Sequence, residues 1–125
     1  MPIPEEFQTI VNKLIQKTKS GNVNWREAAD AGQFFVPIGD VTISLDRSSR
    51  KTRSAQRLVT AKTVIFRVLN SEASLVDSFT VSSVSDEEDF DRMNLLYEGA
   101  KRRARRVDEV IESIDNELDS EGEIG

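Results

Sequence analysis

The sequence predicts an α+β fold: an N-terminal helix, a four- to five-stranded antiparallel meander and a long C-terminal helix, with both helices on one sheet face. Three observations carry that expectation. Apolar residues recur at three-and-four spacing near the start of the chain, alternate with polar ones through its middle, and return to a helical repeat after Ser85. The 125 residues make one ordinary domain at 1–118 followed by a flexible acidic tail at 119–125. A chain of this size buries roughly 65% of the surface its unfolded form exposes.

The first helix is predicted from Pro4 to Lys19. Phe7, Ile10, Val11, Leu14 and Ile15 share one helical face. Pro4 suits the first turn, Glu5 and Glu6 favour the positive end of the dipole, Lys13, Lys17 and Lys19 the negative end, and Gly21 supplies the stop.

The middle of the chain reads as sheet. Val23 and Trp25 suggest a short first strand, and Phe34 to Ile38 a second one. Gly39-Asp40 then turns the chain into Val41, Ile43 and Leu45, because Gly opens a primed hairpin turn without steric cost. Pro37 cannot donate to a ladder and marks an edge or a bulge. Lys62 to Leu69 is apolar on both faces, as a central strand is, and Leu75 to Val84 follows, with Thr42 and Ser44 on a polar outer face. Residues 47–61 are expected to be a mobile polar loop carrying Arg47, Arg50, Lys51, Arg53 and Arg57 with no acid among them.

The last helix is predicted from Asp86 to Leu118. Ser85 and Glu88 have the spacing of a capping box, and Asp86, Glu87 and Asp89 load its first turn with negative charge. Phe90, Met93, Tyr97, Ala100, Ala104, Val107, Ile111, Ile114 and Leu118 then form a heptad seam. An unbroken helix of that length spans roughly 50 Å, more than a small sheet can cover. Gly99 is the expected place for a kink.

Leu14-Ile15-Gln16-Lys17-Thr18 with Gly21 and Trp25, and Leu96-Tyr97-Glu98-Gly99-Ala100-Lys101-Arg102-Arg103 with Val107-Asp108-Glu109, resemble a set of small uncharacterised prokaryotic proteins. Those pair an "LIxKT" helix with a short antiparallel sheet and a closing "LYExAxRR" helix. The resemblance implies the helix–meander–helix order and carries over no activity and no functional residue.

Composition excludes much chemistry. Without Cys or His there is no thiolate nucleophile, imidazole base, Ser-His-Asp triad or Cys- or His-ligated metal. The glycines are scattered rather than gathered into a phosphate-binding loop. The acids from Asp86 to Asp91 lack the central Gly and distal Glu of an EF-hand, and Trp25, Phe34 and Phe35 read as core or edge aromatics. The start of the chain lacks the basic opening and apolar core of a secretory signal, and no apolar run is long enough for a bilayer, so a cytoplasmic location is expected.

The expectation is a non-enzymatic interaction protein with no cofactor, no membrane and no small-molecule substrate. Its interface is Val107, Val110, Ile111, Ile114 and Leu118, which in water form an apolar stripe of several hundred Å² and call for a protein partner or a homodimer. In an antiparallel pair, Arg103 meets Glu117 and Lys101 meets Asp115 of the other copy, which favours that orientation over a parallel one. The alternative is nucleic acid, held by Arg47, Arg50, Lys51, Arg53 and Arg57 together with Lys101, Arg102, Arg105 and Arg106 of the Lys101–Arg106 run.

Overall fold

The computed structural model describes residues 2–54 and 56–120. Helix α1 (Glu5–Ser20) leads into strands β1 (Arg26–Glu27), β2 (Gln33–Ile38), β3 (Val41–Ser54), β4 (Arg57–Leu69) and β5 (Leu75–Ser82). Helices α2 (Glu87–Ala104) and α3 (Val107–Asp119) close the chain. The five strands form one antiparallel sheet in sequence order, so the α+β meander is the observed architecture.

Helix α1 ends where Gly21 takes φ 78°, and the Asn22 and Gly21 N–H groups donate to the Lys17 and Thr18 carbonyls. That pair of bonds is a Schellman cap, and the left-handed conformation is why Gly stands there. Gly39 takes φ 60° in the turn that pairs Ile38 with Val41, as a primed hairpin turn requires. Pro37 lies beyond the two residues that β1 covers, where β2 is an edge. The first strand, expected at Val23 and Trp25, lies just after them at Arg26–Glu27, while both of their side chains enter the core.

The core lies between the sheet and the α1–α2 pair. Strand register sets Phe34, Leu45, Phe66 and Phe79 in one row across β2 to β5. The Phe66 and Phe79 rings stack at 4.7 Å, and Phe7 of α1 sits 5.5 and 5.4 Å from them. Phe34, Leu45 and Phe66 are fully buried, each worth about 1.5–3 kcal/mol relative to exposure. Val11 and Leu14 of α1 and Phe90, Met93, Leu96, Tyr97 and Ala100 of α2 cover the row.

The basic segment 47–61 is not a loop. Arg47 pairs with Val64, Arg50 with Ala61, Lys51 with Thr60 and Ser54 with Arg57, so the segment continues β3 and β4 as a long hairpin. Gln56, at φ 63°, sits in its turn. Hydrogen bonding explains the difference: a two-stranded ladder satisfies backbone groups without an apolar face, so the polar composition concealed it.

The long C-terminal helix is also broken, and not at Gly99. Gly99 lies inside α2, where an added Cβ would meet Thr18 Cγ2 at 3.0 Å, so its role is to let α1 and α2 approach. The break is at Arg106, which adopts φ 54°, ψ 42° at a cost of about 1–2 kcal/mol for a residue with a Cβ. Side-chain anchors hold the end of α2: Arg105 on Glu27, Arg103 on the Gly21 carbonyl, and Arg102 reaching across the break to Asp108. The expected Ser85/Glu88 capping box does not form, since the N-cap residue makes no side-chain bond into the helix. Asp86 takes the N-cap place and its carboxylate accepts the Ser82 N–H, while the Ser85 hydroxyl donates to Asp86. Of the expected tail, Asp119 ends α3 and residues 121–125 lie outside the described residues.

Candidate functional site

Trp25 and Thr18 form the buried centre of the helix pair. The indole Nε1–H donates to Thr18 Oγ1 at 2.9 Å, and the methyl of the same threonine packs against Gly99. Thr18, Gly21, Trp25, Gly99 and Arg103, all from the two motif-bearing segments, therefore join α1, the first strand's approach and α2. Their roles are packing and backbone capping.

A second cluster fixes the same C-terminal half of α2 to the sheet. The Tyr97 hydroxyl donates to the Gly32 carbonyl, and its ring stands edge-on to Phe34 at 5.3 Å. Arg47 lies 4.4 Å over the Tyr97 ring, donates to Asn94 Oδ1 at 2.8 Å and pairs with Glu98. Burial pushes the Tyr97 phenol above its ordinary pKa. Arg105 holds Glu27 through two nitrogens at 3.1 and 2.7 Å, and the Gly32 N–H adds a third bond at 3.0 Å. The Arg105 hydrogen bonds, followed by the Gly32 N–H, hold the Glu27 carboxyl at a pKa of about 2.

These contacts divide the nine sequence-predicted cations. Arg47, Arg102, Arg105 and Arg106 each face a carboxylate of the same chain, and Lys101 lies close enough to Glu27 to act on its ionisation. Arg50, Lys51, Arg53 and Arg57 are exposed and have no ion-pair partner among the described residues. Arg47 is the hairpin cation that reaches α2, where it meets Asn94, Tyr97 and Glu98 rather than the α2 cations.

The predicted interface residues all lie on α3. Val110, Ile111, Ile114 and Leu118 are between 52 and 61% exposed, and no α3 residue is buried. Val107 is half-buried at the α2 junction. The break removes the cations from the seam: Lys101 and Arg103 belong to α2, whereas α3 carries Asp108, Glu109, Glu112, Asp115, Glu117 and Asp119 and no Lys or Arg. Two such helices side by side would set acid against acid, contrary to the antiparallel pairing expected from an unbroken seam.

A surface of complementary character lies on the same molecule. A groove of about 470 Å³ runs between α1 and α2, floored by Ile15, Leu95, Leu96 and Gly99 and reaching Val107. Lys19, Lys101, Arg102 and Arg103 stand along it, against Glu98 and Asp108. Leu95 is 52% exposed there. Sequence reading missed this groove because Leu95 falls off the seam, although the Leu95-Leu96 doublet is its only local signal.

Among the described residues no helix is long and apolar enough to cross a membrane. Compared with known protein families, curated proteins and solved structures, the chain matches none.

Proposed function

We propose that the protein is a small non-enzymatic assembly protein, joining a second copy by seating α3 in the α1–α2 groove of that copy. The observation that carries this reading is the exposed stripe of Val110, Ile111, Ile114 and Leu118 on a helix with no buried residue. An isolated helix shorter than about 12–15 residues is marginal in water, because most helices draw their stability from a packed apolar face. At 13 residues α3 needs a surface to hold it, and among the described residues its own chain half-buries Val107 alone of its side chains.

Charge supports the groove as the seat. The acids of α3 flank its apolar stripe, and the four cations along the groove outnumber its two acids. Opposite charges around an apolar contact set orientation and suppress wrong pairings more than they add affinity. Exchange of α3 in both directions closes a two-fold dimer.

Light scattering behind a sizing column tests the reading. The wild-type chain is expected to be a dimer, and both Ile111→Asp in the stripe and Leu95→Glu in the groove are expected to give monomers. Mixing the two variants is then expected to restore a weakened dimer, since the intact α3 of one copy fits the intact groove of the other. A dimer that survives Leu95→Glu but not Ile111→Asp would overturn the groove as the seat. A monomeric wild type would overturn self-association and assign the stripe to a different protein.

A further inference from the structure

We propose that the β3–β4 hairpin beyond the sheet is a nucleic-acid-binding ribbon that enters the major groove of duplex DNA. The inference rests on the hairpin alone and is independent of α3. Strand β2 pairs with β3 only as far as Asp46, and β5 pairs with β4 only as far as Thr63. Ser83 extends the cover to Lys62. The ladder from Arg50–Ala61 to Ser54–Arg57 therefore projects with both edges unpaired by any strand of the described residues. Five pairs at about 3.3 Å per residue reach roughly 17 Å from the sheet.

The charge on this ribbon is uniform. From Arg47 through Ser71 the sequence contains no carboxylate. Arg50, Lys51, Arg53, Arg57 and Lys62 are exposed and have no ion-pair partner among the described residues. An unpaired cation cluster on an otherwise acidic chain, with a net charge of −5, is not required for solubility. Arg47, Arg67, Arg92, Arg102, Arg105 and Arg106 each face a carboxylate of the same chain, whereas the ribbon gathers its unpaired cations on one projecting element.

The distribution of those cations over two faces selects the ligand. Ile43 and Leu45 face the helices, so alternation along β3 sets Lys51 and Arg53 on the helix side of the ribbon, with Lys62 beside them on β4. Arg50 and Arg57 fall on the opposite side. A docked protein surface would use one face and leave the other in water. A B-form major groove, about 12 Å wide and about 8.5 Å deep, admits a two-stranded ribbon. Its walls carry phosphates on both sides, so cations on both faces find partners. Ser48, Ser49, Thr60 and Thr63 keep the side chains along the stem short. The A-form major groove of duplex RNA is too deep and narrow for such entry.

Binding to a short fluorescent DNA duplex, followed by anisotropy on the full chain, tests the proposal. Four to five phosphate contacts predict a log–log salt slope of about −4, and an affinity loss of roughly two orders of magnitude between about 50 and 200 mM salt. Replacing Arg50, Lys51 and Arg53 together by Thr is expected to weaken binding about tenfold or more at low salt and to flatten that slope. Removing as many cations from α1, with Lys13, Lys17 and Lys19 each changed to Gln, is expected to leave affinity within about twofold. Circular dichroism checks that both variants keep the fold. Absence of binding by the wild type, or equal losses in the two variants, would overturn the proposal. Competition by polyglutamate as strong as by unlabelled duplex would also overturn it and assign the ribbon to an acidic protein. Preference for duplex RNA would overturn the major-groove geometry. Dimerisation through α3 is read separately, so failure here leaves that reading unaffected.

Discussion

Single side chains hold this fold at places where burial and charge meet. Arg105 and Glu27 are the clearest case. Glu27, ordinarily ionising near 4.5, is held at about 2 by the Arg105 hydrogen bonds and the Gly32 N–H. A lowered folded-state value means the folded protein binds fewer protons than the unfolded chain through that interval, so the stabilisation is complete above pH 4.5 and is lost as pH falls toward 2. Urea unfolding of the wild type and Glu27→Gln across that range is expected to show a midpoint difference near neutral pH that shrinks on acidification. A difference independent of pH would remove Glu27 as its source. Both residues are partly exposed, so the effect belongs to the modest class of surface pairs. Neither partner was legible as a pair in the sequence, since 78 positions separate them.

At the scale of elements, the contact of α1 with α2 and the break before α3 decide the shape of the helical layer. Gly99 is the point where the helix pair is tightest. In an exposed helix interior Gly→Ala gains about 1 kcal/mol. Here the new methyl meets Thr18 Cγ2 at 3.0 Å, and Thr18 is itself fixed by the Trp25 indole. Gly99→Ala is therefore expected to lower stability by about 1 kcal/mol in denaturant unfolding, and Thr18→Ser in the same chain to restore it by removing the methyl while keeping the hydroxyl. A stabilised single variant would show that the helices have room there. The start of α1 after Pro4 and the Gly21 stop were legible because helix-end signals are local chemistry. The stop at Arg106 was not, because anchors from β1, Gly21 and Asp108 impose it on a sequence whose apolar repeat continues.

Across the whole molecule, charge is sorted by element. The helical layer pairs Arg92, Arg102 and Arg105 internally and lines its groove with further cations, α3 is acidic, and the ribbon is basic. A chain ending after Arg106 tests whether the body stands without α3. Because α3 buries no side chain, the truncated protein is expected to unfold within about 1 kcal/mol of the full chain and to sediment as a monomer. A large loss of stability would mean that α3 packs on its own body. The opposed signs of α3 and ribbon also predict where the molecule meets different partners, at opposite ends of its chemistry rather than at one shared site.

The sequence by itself determined the α+β class, the order of elements, the Gly39-Asp40 hairpin, and the exposed apolar residues of the last segment. All of these follow from apolar periodicity and turn chemistry over a few residues. The tertiary structure alone decided that residues 47–61 are paired strand, that the last helix ends at Ala104 and resumes at Val107, and that Arg102, Arg105 and Arg106 are taken by carboxylates of the same chain. A ladder between two polar strands leaves no periodic apolar trace, and an ion pair between distant residues leaves none at all. Both are set by which segments the packed core brings side by side.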